Sequence, residues 1–170
     1  PAFTVVVLRP ATVCGYAPRM RLDLTVNMLT VQALKRGVIT VFGGPQMRPN
    51  IYIGDMTRAY RLFITAPATK IAGRIYNVGY QNYSLSDIAL MIKRVLKRKG
   101  LKIVTTKTDD TRSYRVDSQK IKKELGFTAR YTVEDAIRSI ANAYRSGLLP
   151  NPLKNKKYYN IAMMKSVRLE

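Results

Sequence analysis

Two arginines stand where charge chemistry is easiest in this 170-residue chain. Arg48 lies in a loop ahead of Pro49, Asn50 and a short apolar run, and Arg112 follows Asp109-Asp110 and precedes Tyr114. A planar guanidinium can grip a phosphate through two parallel N–H donors. The plain alternative is an exposed surface arginine for Arg48, and a local ion pair with Asp109 or Asp110 for Arg112. Thr40 and Phe42 end an apolar run beside Gly43-Gly44-Pro45. Strand-end backbone groups there could read the edge of a base, and plain core is the alternative. Tyr76, Tyr80 and Tyr83 could stack on a ring, although a buried ring with a polar tip is the commoner use of tyrosine. Asp55 is read as a helix cap, and Cys14 as a small buried residue.

Other chemistries are excluded by what is missing. The chain has no His and one Cys. That removes Ser-His-Asp and Cys-His catalysis, the usual zinc sites and a disulfide framework. Asp109 and Asp110 are adjacent, so their side chains should diverge and make a poor acid/base pair. Gly43-Gly44-Pro45 is not a G-x-G-x-x-G fingerprint, and no P-loop or nucleophile elbow is present. We therefore expect no catalytic group and no metal ligand. Thirty Lys and Arg against ten Asp and Glu leave a net charge of +20. Such an excess favours polyanions or phosphorylated small molecules, and a solvated basic surface is the bland reading. No apolar run has the length of a membrane span, and no signal peptide is evident. The expected setting is reducing and cytoplasmic.

The elements that must carry these residues alternate between strand and helix, which is α/β. Phe3–Leu8 is a continuous apolar, β-branched run, read as a strand buried on both faces. Leu22, Val26, Leu29 and Ala33 recur at helical spacing, closed by Lys35, Arg36 and Gly37. Strands follow at 38–42, 51–53, 74–79 and 102–106. A helix starts at Asp55 and ends before Pro67. Ser84 with Asp87, and Thr132 with Asp135, read as capping boxes; the first opens a helix running to Gly100, the second one ending at Gly147. A short helix spans 118–125. The stretch from Pro150 reads as a surface strap or loose tail. The loops after Pro10 and after Gly43 are long, and long loops in α/β folds usually line a ligand site.

Taken in order, these segments resemble the extended short-chain dehydrogenases/reductases, the family of NAD-dependent nucleotide-sugar epimerases and dehydratases. Leu8-Arg9-Pro10-Ala11-Thr12-Val13-Cys14-Gly15 resembles its "LRPxxVYG" stretch and Val41-Phe42-Gly43-Gly44 its "xxFG". Arg48-Pro49-Asn50-Ile51-Tyr52-Ile53-Gly54-Asp55 resembles "RDxxHVxD", and Tyr76-Asn77-Val78-Gly79 resembles "YNxG". Arg112 to Asp117, then Lys120 and Leu125-Gly126-Phe127, resembles the closing "R-x-Y-x-x-D…K-x-x-x-x-LGF". The resemblance implies the last parallel strands of a Rossmann-type fold plus the small α/β substrate-binding domain, over residues 1–149, with a basic C-terminal tail at 150–170. It implies that Pro10, Ala11, Thr12 and Val13 wall the nicotinamide of NAD. Leu24 and Thr25, with Asn27 on the same helix, would face the substrate diphosphate. Backbone groups of Thr40 and Phe42 would hold the base, and Arg48 and Arg112 would clamp the diphosphate. That last role requires the two arginines to share a hollow.

The departures are as informative. The family's Gly-rich NAD loop and its Tyr-x-x-x-Lys pair precede the matched stretch and are absent here. Tyr52 stands at the family's usual His, and Cys14 at its usual Tyr. The chain thus reads as the C-terminal, substrate-binding half of such an enzyme, inactive alone. The parent would be a homodimer whose main dimer helices lie in the missing part. Two other readings are weighed against it: a basic nucleic-acid-binding protein, supported by the run of cations from Lys93 to Lys123, and a non-catalytic structural relative.

Overall fold

A computed structural model describes residues 3–167. Its elements in chain order are β1 (Val7–Pro10), β2 (Thr12–Cys14), α1 (Thr25–Arg36), β3 (Val38–Phe42), β4 (Met47–Tyr52) and α2 (Ile53–Thr65). Then come α3 (Ala68–Ile71), β5 (Ile75–Val78), β6 (Gln81–Ser84), α4 (Leu85–Leu96), β7 (Lys102–Thr106), α5 (Gln119–Leu125) and α6 (Val133–Arg145). A 3₁₀ turn, Lys156–Tyr158, leads into α7 (Asn160–Ser166). The strands form three small sheets. β1 pairs β5 in parallel, β3 pairs β7 in parallel, and β4 lies between parallel β2 and antiparallel β6.

Local chemistry sets the helix ends. Gly37 closes α1 in the left-handed region at φ 71°, returning its N–H to the Ala33 carbonyl, with Lys35 and Arg36 in the last turn. That is the C-terminal arrangement which satisfies orphan carbonyls and suits the helix dipole. Both capping boxes form: Ser84 accepts from the Asp87 N–H at 3.0 Å, and Thr132 from the Asp135 N–H at 3.3 Å. Each acidic partner returns the bond, Asp87 to the Ser84 N–H and Asp135 to the Thr132 N–H. Three hydrophobic clusters fill the spaces between. The largest packs α1, β3, α4 and α6 through Val26, Leu29, Ile39, Val41, Ile88, Ile92 and Ile137. A second gathers Ile51, Met56, Phe63, Tyr76 and Ile121.

Several expectations are corrected. The Phe3–Leu8 run is not a strand buried on both faces: the strand is Val7–Pro10, and Phe3 is 90% exposed. Among the described residues β1 has β5 on one side and nothing on the other, so one edge stays open. The strand expected at 51–53 begins earlier, at Met47, because 47–50 pair with β6, and it yields to α2 at Ile53. Asp55 does not cap its helix; Tyr52 is the N-cap residue, and Asp55, in the first turn, is fully buried against another segment. Its Oδ2 accepts the backbone N–H groups of Arg130 and Tyr131, both at 2.9 Å, and its Oδ1 accepts from Arg58. The helix expected to reach Gly100 stops at Leu96, where Lys97 turns to φ 47°. The stretch after Pro150 is partly helical, and Tyr158 is buried with Met20, Leu22 and Leu149. The Leu22 N–H donates to the Tyr158 carbonyl at 2.8 Å.

Candidate functional site

The chain changes sheets at Ala11. Its N–H donates to the Val78 carbonyl at 2.8 Å, the residues before it follow β5, and those after it follow β4. Ligands in open α/β folds collect beyond the carboxyl ends of parallel strands where the topology switches. A hollow of about 410 Å³ opens there, lined by Pro10, Ala11, Thr12, Val13, Leu24, Pro49, Tyr114 and Val116, with Arg21. The lining is mostly apolar, the surface a flat ring needs on one face. It contains all four residues expected along the nicotinamide, together with Leu24. The chain contributes a wall that fits such a ring, while the glycine loop that would hold a dinucleotide's own phosphates is not in the sequence.

A second, narrower hollow of about 140 Å³ lies between α1, β3 and the loop after β7. Thr25, Thr40, Phe42 and Arg48 line it, along with Gln46 and Asp110. Thr25 is the first residue of α1. Among the described residues no side chain caps that helix, and its first turn holds no acidic residue. Unclaimed N–H groups at such an end favour an anion. The glycine turn shapes the far side. Gly43 has φ 83°, and a Cβ there would meet the Gln46 side chain at 2.1 Å. Gln46 in turn accepts from the Gly44 N–H and donates to the Asp110 carbonyl at 2.9 Å. The Thr40 N–H lies 3.3 Å from Gln32 Oε1, and the Phe42 carbonyl accepts weakly from Gln46 at 3.4 Å.

Arg48 and Arg112 meet at one carboxylate. Arg112 donates from Nε to Asp110 Oδ1 and from Nη2 to Oδ2, both at 2.7 Å, and its backbone N–H reaches Oδ1 at 3.1 Å. Arg48 places Nη2 3.5 Å from Oδ2 and donates from Nη1 to the Arg112 carbonyl. Its guanidinium also lies over the Tyr114 ring, 5.7 Å from the centroid. The Arg112 hydrogen bond, with help from Arg48, holds the Asp110 carboxyl well below the usual carboxylate range. Arg48 and Asp110 line the narrower hollow. Arg112 does not line it with them, and its side chain, 81% exposed, meets that of Arg48 only through Asp110. The local ion pair that was the plain alternative for Arg112 is formed.

Asn27 is buried on α1 with its amide already engaged: Oδ1 accepts from the Gly15 N–H at 3.0 Å and Nδ2 donates to the Arg21 carbonyl at 2.9 Å. It lines a small hollow with Gly15 and Ala17, which adjoins the hollow at Pro10–Val13 through Val13, Arg21 and Leu24. Tyr76 is core, its hydroxyl donating to Glu124 at 2.8 Å. Cys14 is buried, and burial pushes its thiol up to about 12, which makes it inert. A more spacious hollow, about 660 Å³, lies elsewhere, between Tyr80, Arg115, Lys122 and Phe127; of the residues considered from the sequence for stacking or binding, Tyr80 lines it. Gln46, Asp110 and Tyr114 were not singled out as binding residues. Only their neighbours' positions draw them in, 62 residues separating Arg48 from Asp110. Among the described residues no group of His, Cys, Asp or Glu could hold a metal ion, and no helix is long and apolar enough to cross a membrane.

Residues 2–79 match the NAD dependent epimerase/dehydratase family. A dTDP-glucose 4,6-dehydratase of Shigella flexneri is 27% identical over 141 residues, covering 76% of this chain and 38% of that protein. Among solved structures, MoeE5 in complex with UDP-glucose and NAD aligns with a TM-score of 0.68 and 25% identity, covering 83% of this chain and 47% of that one. The UDP-glucuronic acid 4-epimerase of Bacillus cereus shares the fold, with a TM-score of 0.70 at 24% identity and 84% and 46% coverage. These likenesses support the NAD-dependent epimerase/dehydratase family and a Rossmann-type α/β fold. The chain spans less than half the length of these relatives.

Proposed function

We propose, from this kinship with NAD-dependent epimerases and dehydratases, that the chain is the nucleotide-sugar-holding portion of such an enzyme. The observation that carries the reading is the convergence of Arg48 and Arg112 on the Asp110 carboxylate, with Arg48 and Asp110 lining a hollow together with Thr25, Thr40 and Phe42. In this reading the diphosphate of a nucleoside diphosphate sugar lies in the clamp, with the uncapped start of α1 adding partial positive charge. The base enters between Thr40 and Phe42. The sugar points toward the hollow walled by Pro10, Ala11, Thr12 and Val13. NAD, when bound, supplies the hydride acceptor and donor, and those four residues are the part of its seat found here.

What these residues do is bind and orient. Fixing a diphosphate at two guanidinium groups anchors the substrate far from its reacting carbon, so that remote binding holds the sugar in register. Proton transfer needs a tuned acid/base group, and the residues gathered at this site offer none. The chain by itself therefore binds without turning over.

Titration calorimetry of the 170-residue chain with uridine and thymidine diphosphates tests this. Binding is expected, weakened about tenfold or more by Arg48→Ala and by Arg112→Ala, since each removes a charge-assisted contact. Addition of NAD and UDP-glucose should give no product. Binding indifferent to both arginine substitutions, or turnover by the chain alone, would overturn the reading.

A further inference from the structure

We propose that Asp110 is a built-in anion occupying the diphosphate seat, and that a ligand displaces it by bringing an anionic group for each of the two arginines. The proposal rests on the reading of the arginine pair given above. The Asp110 carboxylate presents two oxygens in a plane to the Arg112 fork, at 2.7 Å each, and one of them also faces Arg48. That is the presentation a phosphate makes to a guanidinium. The seat is therefore filled by the chain's own negative charge, and a ligand gains these donors only by displacing it.

Displacement costs the loop one bond, the one Asp110 Oδ1 accepts from the Arg112 N–H at 3.1 Å. The backbone from Asp110 to Tyr114 is stitched to the β4 edge by other bonds. Gln46 donates to the Asp110 carbonyl, the Met47 N–H to Ser113 Oγ at 3.0 Å, and the Tyr114 N–H to the Met47 carbonyl at 3.3 Å. Meanwhile the ion pair itself is largely in water: the Arg112 side chain is 81% exposed and that of Asp110 34%. Exposed pairs of this kind are weakly held. Arg48, at 13%, is the fixed half of the clamp. Rotation of one short side chain then frees the Arg112 fork and Nη2 of Arg48, while Arg48 Nη1 keeps its bonds to the Met47 and Arg112 carbonyls. A diphosphate, with more than one negative charge on adjacent groups, outcompetes a single carboxylate. A monophosphate, though it carries about −1.5 to −2 at pH 7, brings a single group to the two guanidinium groups that Asp110 bridges. Selectivity for diphosphates over monophosphates thus comes from a competitor inside the site, a repulsive device of the kind specificity often needs.

The test uses the 170-residue chain, with uridine diphosphate, uridine monophosphate and inorganic pyrophosphate as calorimetric probes. Asp110→Asn and Asp110→Ser should each tighten uridine diphosphate and pyrophosphate by about fivefold and bring monophosphate binding into range, since a like charge beside the phosphates is removed. Asp110→Glu should keep the parent preference. The gain should vanish when Arg112→Ala is added. Weaker diphosphate binding in both neutral variants would make Asp110 a positioning group for Arg112 and overturn the proposal, as would unchanged affinity. If the parent and the neutral variants all ignore uridine diphosphate, the reading of the site itself falls, and this proposal with it. Parent binding that depends on Arg48 and Arg112 but not on Asp110 sinks the gate alone.

Discussion

Asp55 carries more of this molecule than its place in the chain suggests. A carboxylate with no exposed surface accepts two backbone N–H groups from residues 130 and 131 and one guanidinium bond from Arg58, whose cation also sits 5.5 Å from the Phe127 ring centroid. It fastens α2 to the segment leading into α6. Asp55→Ala leaves two N–H groups and a cation without their acceptor, and should cost about 3 kcal/mol. Urea unfolding followed by far-UV circular dichroism measures this, and a loss within about 0.5 kcal/mol, the range of ordinary surface changes, would contradict it. The sequence puts Asp55 in a helical first turn, where a cap is the natural reading, and nothing local points 75 residues ahead. Half of the Asp110 cluster was legible, since Arg112 pairs with a carboxylate two residues away; Arg48 reads as a loop residue in the sequence and lies in β4. That the two arginines share this acceptor became visible only once the fold had closed the gap between them.

Elements whose boundaries are written locally were the most legible. Gly37 ends α1 and Gly126 ends α5, both left-handed as their positions demanded, and both capping boxes form. β6 was not foreseen. Gln81-Asn82-Tyr83-Ser84 has no apolar alternation, and its strand character comes from the β4 edge that it pairs with. β4 was foreseen only where it is apolar, for the same reason. The Thr132–Asp135 box allows a quantitative statement. The Thr132 backbone N–H, above all, holds the Asp135 carboxyl below its ordinary value. A carboxylate depressed by folding contributes stability in full above its unfolded value of about 4, and that contribution is lost as pH falls through the lower, folded value. Asp135→Asn should thus destabilise by about 0.5–1 kcal/mol at neutral pH, through lost charge at the start of α6. The gap between variant and parent should close as pH drops below about 4. Melting curves at pH 7 and in acid test it; a gap that widened in acid would have the wrong sign.

At the scale of the whole molecule, a net charge of +20 and an open sheet edge pull in opposite directions. Phe3, Val5, Val7 and Ile75 expose apolar surface around the β1–β5 pair, and a bare edge invites pairing with another chain. Mutual repulsion of strongly basic molecules opposes it until salt screens them. Sedimentation velocity should show association that grows with both concentration and ionic strength, and Phe3→Lys with Val5→Lys should suppress it. A parent chain that stays monomeric at high salt would count against this edge. The class of fold was legible at this scale from the alternation of strands and helices, whereas the division into three small sheets was not, since pairing partners such as Val7 and Ile75 are far apart in sequence. The stitch between the Leu22 N–H and the Tyr158 carbonyl has a consequence in time rather than in space. A chain emerging from the ribosome offers the start of α1 early and its backing only when residue 158 has followed. The Arg48–Asp110–Arg112 cluster can assemble before then, but the segment leading into α1 lacks its final tether until residue 158 has been made.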